Sequence, residues 1–487
     1  MYYKCQASGL GWLMTRQEAL ALYRSGRRRT IPVLVAQAIT IRQHANRIEA
    51  LEAENNKLKG QLALAKHHPE TPSGMQPVYT KPPPAKRGRR PGAKIGHQGH
   101  SRPIPEVIDE VIEHKLSCCP NCHGVLSAST DTRSRYIEDI PPIKPHVSEH
   151  IIHRYWCRAC RKIVEPAVTQ AFPRCILGNN LLIFSCWLHY GLGVTIDKVV
   201  NLLNVSCHFK VTAGGLIQAW QRLAGRLELD YKQLRKLART SPVLHADETG
   251  WRLSGQTHWL WCFTHEKLAY YKIERSRGSP VVRKVLGKKF DGTLVTDFYA
   301  AYNAVQAASH QRCLVHLDRE IDKVDLIDDS PSWKTFRKKL RRWIGDARRL
   351  GRNKAQIPSH LFERKKRFLE DRLILLGYTS DLQSKDVRRL AGRLHRFRHE
   401  LLTFLNLPGV ASNNNHAERQ IRPAVLIRKN SYCNRSRQGT RTQATMMSIF
   451  QTLHLRSLDP MQSLRKGFAR QLATGQQALG AELNNLP

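Results

Sequence analysis

The chain has 487 residues, of which 41% are hydrophobic, enough for several buried cores and too many for a disordered polymer. It carries 79 Lys and Arg against 39 Asp and Glu, a formal charge of +40. No window approaches the roughly 20 apolar residues of a membrane helix, and the first twenty residues lack the basic and apolar regions of a secretory signal. A membrane or secreted protein is therefore not expected.

A surplus of 40 charges repels itself unless a polyanion or counterions neutralise it. The cations recur along the whole length rather than in one tail, so an extended nucleic-acid track is expected; a general basic surface kept for solubility is the competing reading. Twelve cysteines are spread thinly, and only two pairs have C-x-x-C spacing. That pattern favours a reducing cytoplasm and one metal site over a disulfide framework.

The 1–40 segment carries no clear signal. Residues 41–66 read IRQHANRIEALEAENNKLKGQLALAK, with Ile48, Asn55 and Leu62 at heptad position a and Leu51 and Leu58 at d. One a-site asparagine fixes register in a short coiled coil, so a self-association zipper is expected, against an amphipathic helix packed on its own chain. Residues 67–105 are rich in Pro, Gly and basic groups and predict a linker. Its Arg87, Arg89 and Arg90 could lie along DNA, in a minor groove or merely against phosphates.

Residues 106–170 form a cysteine module. Cys119-Pro-Asn-Cys122-His-Gly opens it and Cys157-Arg-Ala-Cys160 closes it. Two such knuckles can deliver four thiolates to a tetrahedral, structural Zn²⁺, against four free thiols. Cys118 is an alternative to Cys119, but the two-residue spacing favours Cys119. Gly124 suits the first knuckle's turn. YIEDIPPI and VSEHIIHRYW have the composition of strands, which predicts a zinc ribbon with a long insert.

Within 171–240, a helix through Ile196–Leu203 should bury Val199, Leu202 and Leu203. Asn204–Ser206 breaks it, and Thr212 is a candidate N-cap for a second helix carrying Leu216, Ile217 and Trp220 inward. The pair could read a DNA groove as a helix-turn-helix or serve only as packing.

Residues 241–317 alternate. SPVLHADETGWRL predicts a short strand ending at Asp247; THWLWCFTH and LAYYKIE predict two more. SPVVRKVLG predicts a helix, and TLVTDFYAAYN a strand ending at Asp297. That β-β-β-α-β order is how an RNase H-like sheet sets two carboxylates side by side. In 406–455, NNNHAERQIRPAVLIRKN supplies a third acid, Glu418, on a helix that Asn413–Asn415 should start. Glu418, Ile421 and Val425 should share one face, with Arg419, Arg422, Arg428 and Lys429 as nearby cations for DNA. Three clustered carboxylates suit two Mg²⁺ (or Mn²⁺) ions and phosphodiester chemistry.

Asp297 and Glu418 are 121 positions apart, and residues 318–405 between them hold a basic helical block. Lys338, Lys339, Arg341 and Arg342 repeat at helical spacing and are expected to grip DNA, against a merely solvated face. Residues 456–487 form a tail.

HADETGWRL, LVTDFYAAYN and NNNHAERQIRPAVLIRKN resemble the three acidic boxes of the insertion sequence 66 family of bacterial transposases. The zipper, the GRRPGAKIGHQGH linker and the CPNCHG knuckle resemble that family too, from about residue 40 to about 470. The box CLVHLDRE departs from the family's Cys, His and basic pair by inserting Asp318, and SYCNRSRQG replaces a more apolar run. The resemblance implies a multidomain α/β protein whose RNase H-like core holds a helical insertion and the triad Asp247, Asp297 and Glu418. It implies binding to the terminal repeats of an element, hydrolysis that exposes a 3′-hydroxyl, and attack of that hydroxyl on target DNA. A dimer or higher oligomer, companion proteins of the same element, and a cytoplasmic, nucleoid-associated location go with that reading. A zinc-ribbon DNA-binding regulator with a dead catalytic domain is the alternative.

Overall fold

The structure, a computed structural model, describes residues 41–56, 58, 96–99, 102–129, 131–173, 175–378 and 384–484, with five single positions before residue 27. Arg87, Arg89 and Arg90 lie outside the described residues, as does Leu62. Residues 41–56 are helical, and the heptad side chains Ile48 and Leu51 are exposed. Among the described residues no helix is long and apolar enough to cross a membrane. Two compact units divide the chain: one of residues 78–167 and 195–218, the other of the remainder.

In the smaller unit, β1 (Tyr155–Cys157) and β2 (Lys162–Val164) pair antiparallel, and their connection carries the second cysteine knuckle. The strand expected over YIEDIPPI does not form. Ile137 and Ile140 stand largely in solvent, and Pro141 and Pro142 have no amide to donate to a ladder. Of VSEHIIHRYW, only the final Tyr155 and Trp156 enter a strand.

Helix α1 (Asn179–Cys186) belongs to the larger unit, and α2 (Ile196–Asn201) to the smaller. The expected helix through Leu203 instead passes into a wider π-turn at Leu202–Ser206. Asn204 then braces the loop, its side chain donating to and accepting from the backbone of Val211 at 2.9 Å each. Helix α3 (Ala213–Arg226) follows, and Thr212 accepts the Gly215 amide as the expected cap. Val199, Leu203, Leu216 and Trp220 are buried as expected; Leu202 and Ile217 are not. The π-turn rotates Leu202 off the apolar face of an ideal helix, and Ile217 lies beside Leu216 rather than one turn from it.

The larger unit continues with α4 (Glu228–Arg239) and a five-stranded sheet. Its strands are β3 (Val243–Leu253), β4 (Gln256–His265), β5 (Leu268–Glu274), β6 (Lys289–Thr296) and β7 (Gln306–Arg312). Helix α5 (Ser279–Leu286) crosses over between β5 and β6, and Pro280 opens it at a position where a missing amide costs nothing. The sheet order is β5-β4-β3-β6-β7, antiparallel among the first three and parallel across β3, β6 and β7. Ser254 and Gly255 both take left-handed backbone at the β3–β4 hairpin, the conformation a two-residue turn demands.

Side chains alternate across the strands. Leu260 and Cys262 join Trp251, Ala269 and Tyr271 in a core with Ile421, Ala424, Ile427 and Met447 from later helices. Trp261 turns to the opposite face, edge-on to Tyr302.

After β7, α6 (Leu314–Val324), α7 (Pro331–Arg352), α8 (Ser359–Gly377), α9 (Lys385–Arg396) and α10 (Thr403–Asn406) share a core of their own, including Trp333, Phe336, Leu340 and Trp343. Helix α11 (Asn415–Ser431) returns to the sheet, followed by α12 (Arg437–Leu455), α13 (Pro460–Thr474) and α14 (Gly480–Asn484).

Candidate active site

Asp247 does not end its strand, because β3 continues through Leu253 along β4. What ends is the pairing on the other edge: β3 and β6 are in register only from Val243 to His245, and β6 closes at Thr296. Asp247, inside β3, and Asp297, just after β6, therefore both lie beyond the point where the parallel β3–β6 pairing ends, where such sheets open a crevice. Asp247 is paired in register with Cys262, which places it on the sheet face that α11 covers.

Helix α11 brings Glu418 to the same place. Asn414 is buried at its start but does not cap it: the amide donates to the Ala246 carbonyl at 2.8 Å and its oxygen meets His245 at 3.1 Å. The asparagine run thus supplies a cross-link between α11 and β3, while Asn413 accepts the Asn415 amide. Ile421 is buried against the sheet and Val425 packs beside it, as the spacing predicted.

Burial, then Glu248, Asp297 and Glu418, push the Asp247 carboxyl well above the usual carboxylate range. Among the described residues neither Asp247 nor Asp297 has an ion-pair partner. Glu418 has one: Arg319 of α6 forks it, Nη1 to Oε1 at 3.0 Å and Nη2 to Oε2 at 2.9 Å. His316, one turn earlier, lies 3.8 Å from Glu418, and burial lowers its imidazole pKa while Asp297 and Glu418 pull it up.

Sequence reasoning missed several residues around these acids. Glu248 faces the opposite side of β3 with its side chain 2% exposed, accepting from Tyr302 at 2.5 Å and from Arg277 at 3.0 Å. Arg277 is held between the rings of Trp259 and Tyr299. Buried Arg312 donates to the Asp297 carbonyl, to Thr296 and to Glu400, fixing the backbone that presents the second acid. The Tyr299 amide donates to Asp297 Oδ1 at 2.9 Å. The acidic neighbour in HADETG and the paired tyrosines in DFYAAYN were the available signals. Asp318, the intruder in CLVHLDRE, turns away to Arg348.

Asp247 and Asp297, which have no ion-pair partner among the described residues, and Glu418 supply hard oxygen donors of the kind a divalent cation takes. Among the described residues no group of three or more His, Cys, Asp or Glu is set closely enough to hold an ion. The same holds for the cysteines, which are gathered as two separate pairs. In the first, the Cys122 and Asn121 amides lower the Cys119 thiol pKa; in the second, the Cys160 amide does so for Cys157. Amides aimed at sulfur favour thiolate, the form that binds zinc. The left-handed backbone expected at Gly124 falls instead on His123, and its counterpart is Arg161.

Of the cations expected near DNA, Arg419, Arg422 and Lys429 are exposed on α11. Arg428 is not; it is buried and donates to Thr249 Oγ1 and the Gly250 carbonyl, so it braces β3 instead. Lys338, Lys339, Arg341 and Arg342 are exposed on α7, but Arg341 is tied to Asp322 and Asp325.

A family model described as "Transposase IS66 family" matches residues 174–442, more than half of the chain. The chain belongs to the IS66 family of transposases. Residues 117–161 match a second model, "zinc-finger binding domain of transposase IS66", which spans both knuckles of this transposase. Two curated relatives come from Sinorhizobium fredii. "Uncharacterized protein y4jD" is 25% identical over 417 residues, 77% of this chain and 78% of that one. "Uncharacterized protein y4qI" is 24% identical over 468 residues, 88% of this chain and 83% of that one.

Proposed function

We propose that this transposase cuts and joins DNA strands at Asp247, Asp297 and Glu418 in an RNase H-like core, with divalent metal held by those three carboxylates. The observation that carries the reading is placement: Asp247 and Asp297 lie beyond the end of the parallel β3–β6 pairing, and Asn414, at the start of the Glu418 helix, is bonded to Ala246 beside Asp247. The raised Asp247 carboxyl, driven up by burial and then by the other acids, supports the same assignment. Bound Mg²⁺ or Mn²⁺ would supply activation of the attacking oxygen and charge stabilisation at the leaving one.

The chain's own groups then have defined tasks. Asn414 and Arg428 hold α11 to β3, so that Glu418 stays over Asp247. Arg312 and the Tyr299 amide fix Asp297. Arg419, next to Glu418, and Arg422 and Lys429, one turn or more beyond it, offer phosphates exposed cations. In hydrolysis, a water oxygen bonds to phosphorus as the 3′-oxygen departs with a proton; in joining, that 3′-hydroxyl attacks target phosphorus and displaces the target's own 3′-oxygen. Cys119, Cys122, Cys157 and Cys160 would hold one structural zinc, and the exposed Ile48 and Leu51 would pair with a second copy.

The test is cleavage and joining of element-end DNA by Asp247→Asn, Asp297→Asn and Glu418→Gln. Each should lose about 10³-fold or more in rate while binding DNA as the parent does. A variant that still joins strands removes its residue from the triad; a parent inactive with every metal would make the chain a DNA-binding regulator.

A further inference from the structure

The Glu418–Arg319 contact has the geometry of a deliberate pairing. Both guanidinium nitrogens meet both carboxylate oxygens, at 3.0 and 2.9 Å, with Arg319 30% and Glu418 21% exposed. Such forks are the most specific ion pairs an arginine makes. Arg319 also sits on a helix rich in acids, any of which is nearer in sequence. Each of those acids is engaged elsewhere: Asp318 with Arg348, Glu320 with Arg389, Asp322 with Arg341. Helix α6 thus directs its carboxylates to the helical block and this one cation to the third acid.

We propose that Arg319 is a resident counter-ion for Glu418, occupying it until a divalent metal displaces the guanidinium. The inference rests on the reading of Glu418 as a metal ligand. Each oxygen of the fork keeps a second lone pair, but the guanidinium's fixed positive charge beside it repels an incoming cation. Metal loading therefore works against the ion pair, and the free protein binds metal more weakly than the carboxylates alone would. The displaced guanidinium cannot shed its charge and needs another anion; a DNA strand brings one as phosphate. Metal binding and DNA arrival become coupled through one side chain, since whatever stabilises the released arginine also strengthens metal binding. A purely structural tie between α6 and α11 makes the opposite prediction, because cutting it would loosen Glu418 and weaken metal binding.

The experiment measures Mn²⁺ binding to the zinc-loaded full chain without DNA, by electron paramagnetic resonance of free Mn²⁺. Arg319→Gln should lower the half-saturating Mn²⁺ concentration by about ten-fold. Arg319→Lys, which keeps the charge but loses the fork, should fall between variant and parent. The gain should vanish when Glu418→Gln is added. Unchanged or weaker Mn²⁺ binding in Arg319→Gln overturns the proposal, and if that variant does not fold, unchanged binding in Arg319→Lys does so. Failure of the underlying reading looks different: Glu418→Gln alone would then leave Mn²⁺ binding as it is in the parent.

Discussion

The five-stranded sheet and the cysteine module hold their candidate functional groups by opposite means. Around the acids, position is over-determined: Asn414, Arg428 and Arg312 each make buried contacts that lock a carboxylate-bearing segment to its neighbour. The sheet between them is fully packed, with Leu260, Cys262 and Tyr271 shut away from water. The cysteine module has one three-residue hairpin, and its large apolar side chains, Val147 and Trp156 among them, stand in solvent. On the proposed reading, with so much apolar surface exposed among the described residues, its order would come from zinc bound by the thiols. Its local order lies in that hairpin and in the knuckle turns, where the Cys160 amide meets the Cys157 sulfur. If both proposed metal sites hold, the sheet should keep its fold without an ion and the cysteine module should not.

The largest expected effect tests that contrast. A zinc chelator should unfold the cysteine module, since structural zinc contributes on the order of 10 kcal/mol to such modules. Limited proteolysis should then cut first between residues 117 and 161, leaving the sheet protected. Simultaneous cutting in both regions would erase the distinction. Next in size, Leu260→Ala should destabilise the sheet by about 2–5 kcal/mol, measured by denaturant melting, with zinc content unchanged.

Asn414→Ala sharpens the comparison within the core. It leaves the Ala246 carbonyl and His245 without their partner, a loss of about 1–3 kcal/mol. Cleavage should fall by more than stability does, because Glu418 is freed from its register with Asp247. Equal activity at parental temperature would make the asparagine a packing residue only. The smallest effect belongs to the basic helix: Lys338, Lys339 and Arg342 changed together to Gln should reduce the salt slope of DNA binding by about 2–3. Arg341 is omitted because Asp322 and Asp325 already hold it. An unchanged slope would leave α7 a solvated face.

Much of the sheet was legible because THWLWCFTH and LAYYKIE alternate, and alternation has one structural meaning in a half-buried strand. The sequence contexts singled out Asp247, Asp297 and Glu418 and the spacing singled out two thiol pairs; the fold sets Asp247 on the face that α11, the helix of Glu418, covers. Three things were not legible. The continuation of β3 past Asp247 depends on β4 lying alongside, a contact between segments that no local pattern encodes. Arg428 reads as one more cation in a basic run, and only the packing of α11 on the sheet turns it inward. Arg319 and Glu418 are far apart in sequence, and their pairing requires the helical block to fold back. Arg319 does share a helix face with His316 by i, i+3 spacing, the one local hint that both approach the site. The missing strand over YIEDIPPI failed for a related reason: β-branched composition predicts a strand only where a partner edge exists.

The central claim is that Asp247, Asp297 and Glu418 form one metal-dependent centre, and a ligand swap tests it most directly. Asp247→Cys replaces hard oxygen with soft sulfur, which Mg²⁺ tolerates poorly and Mn²⁺ tolerates better. Strand cleavage by this variant should be lost in Mg²⁺ and partly restored in Mn²⁺, whereas the parent should work in both. Equal cleavage by the cysteine variant in the two metals would contradict the assignment of Asp247 as a ligand and, with it, the account of the site.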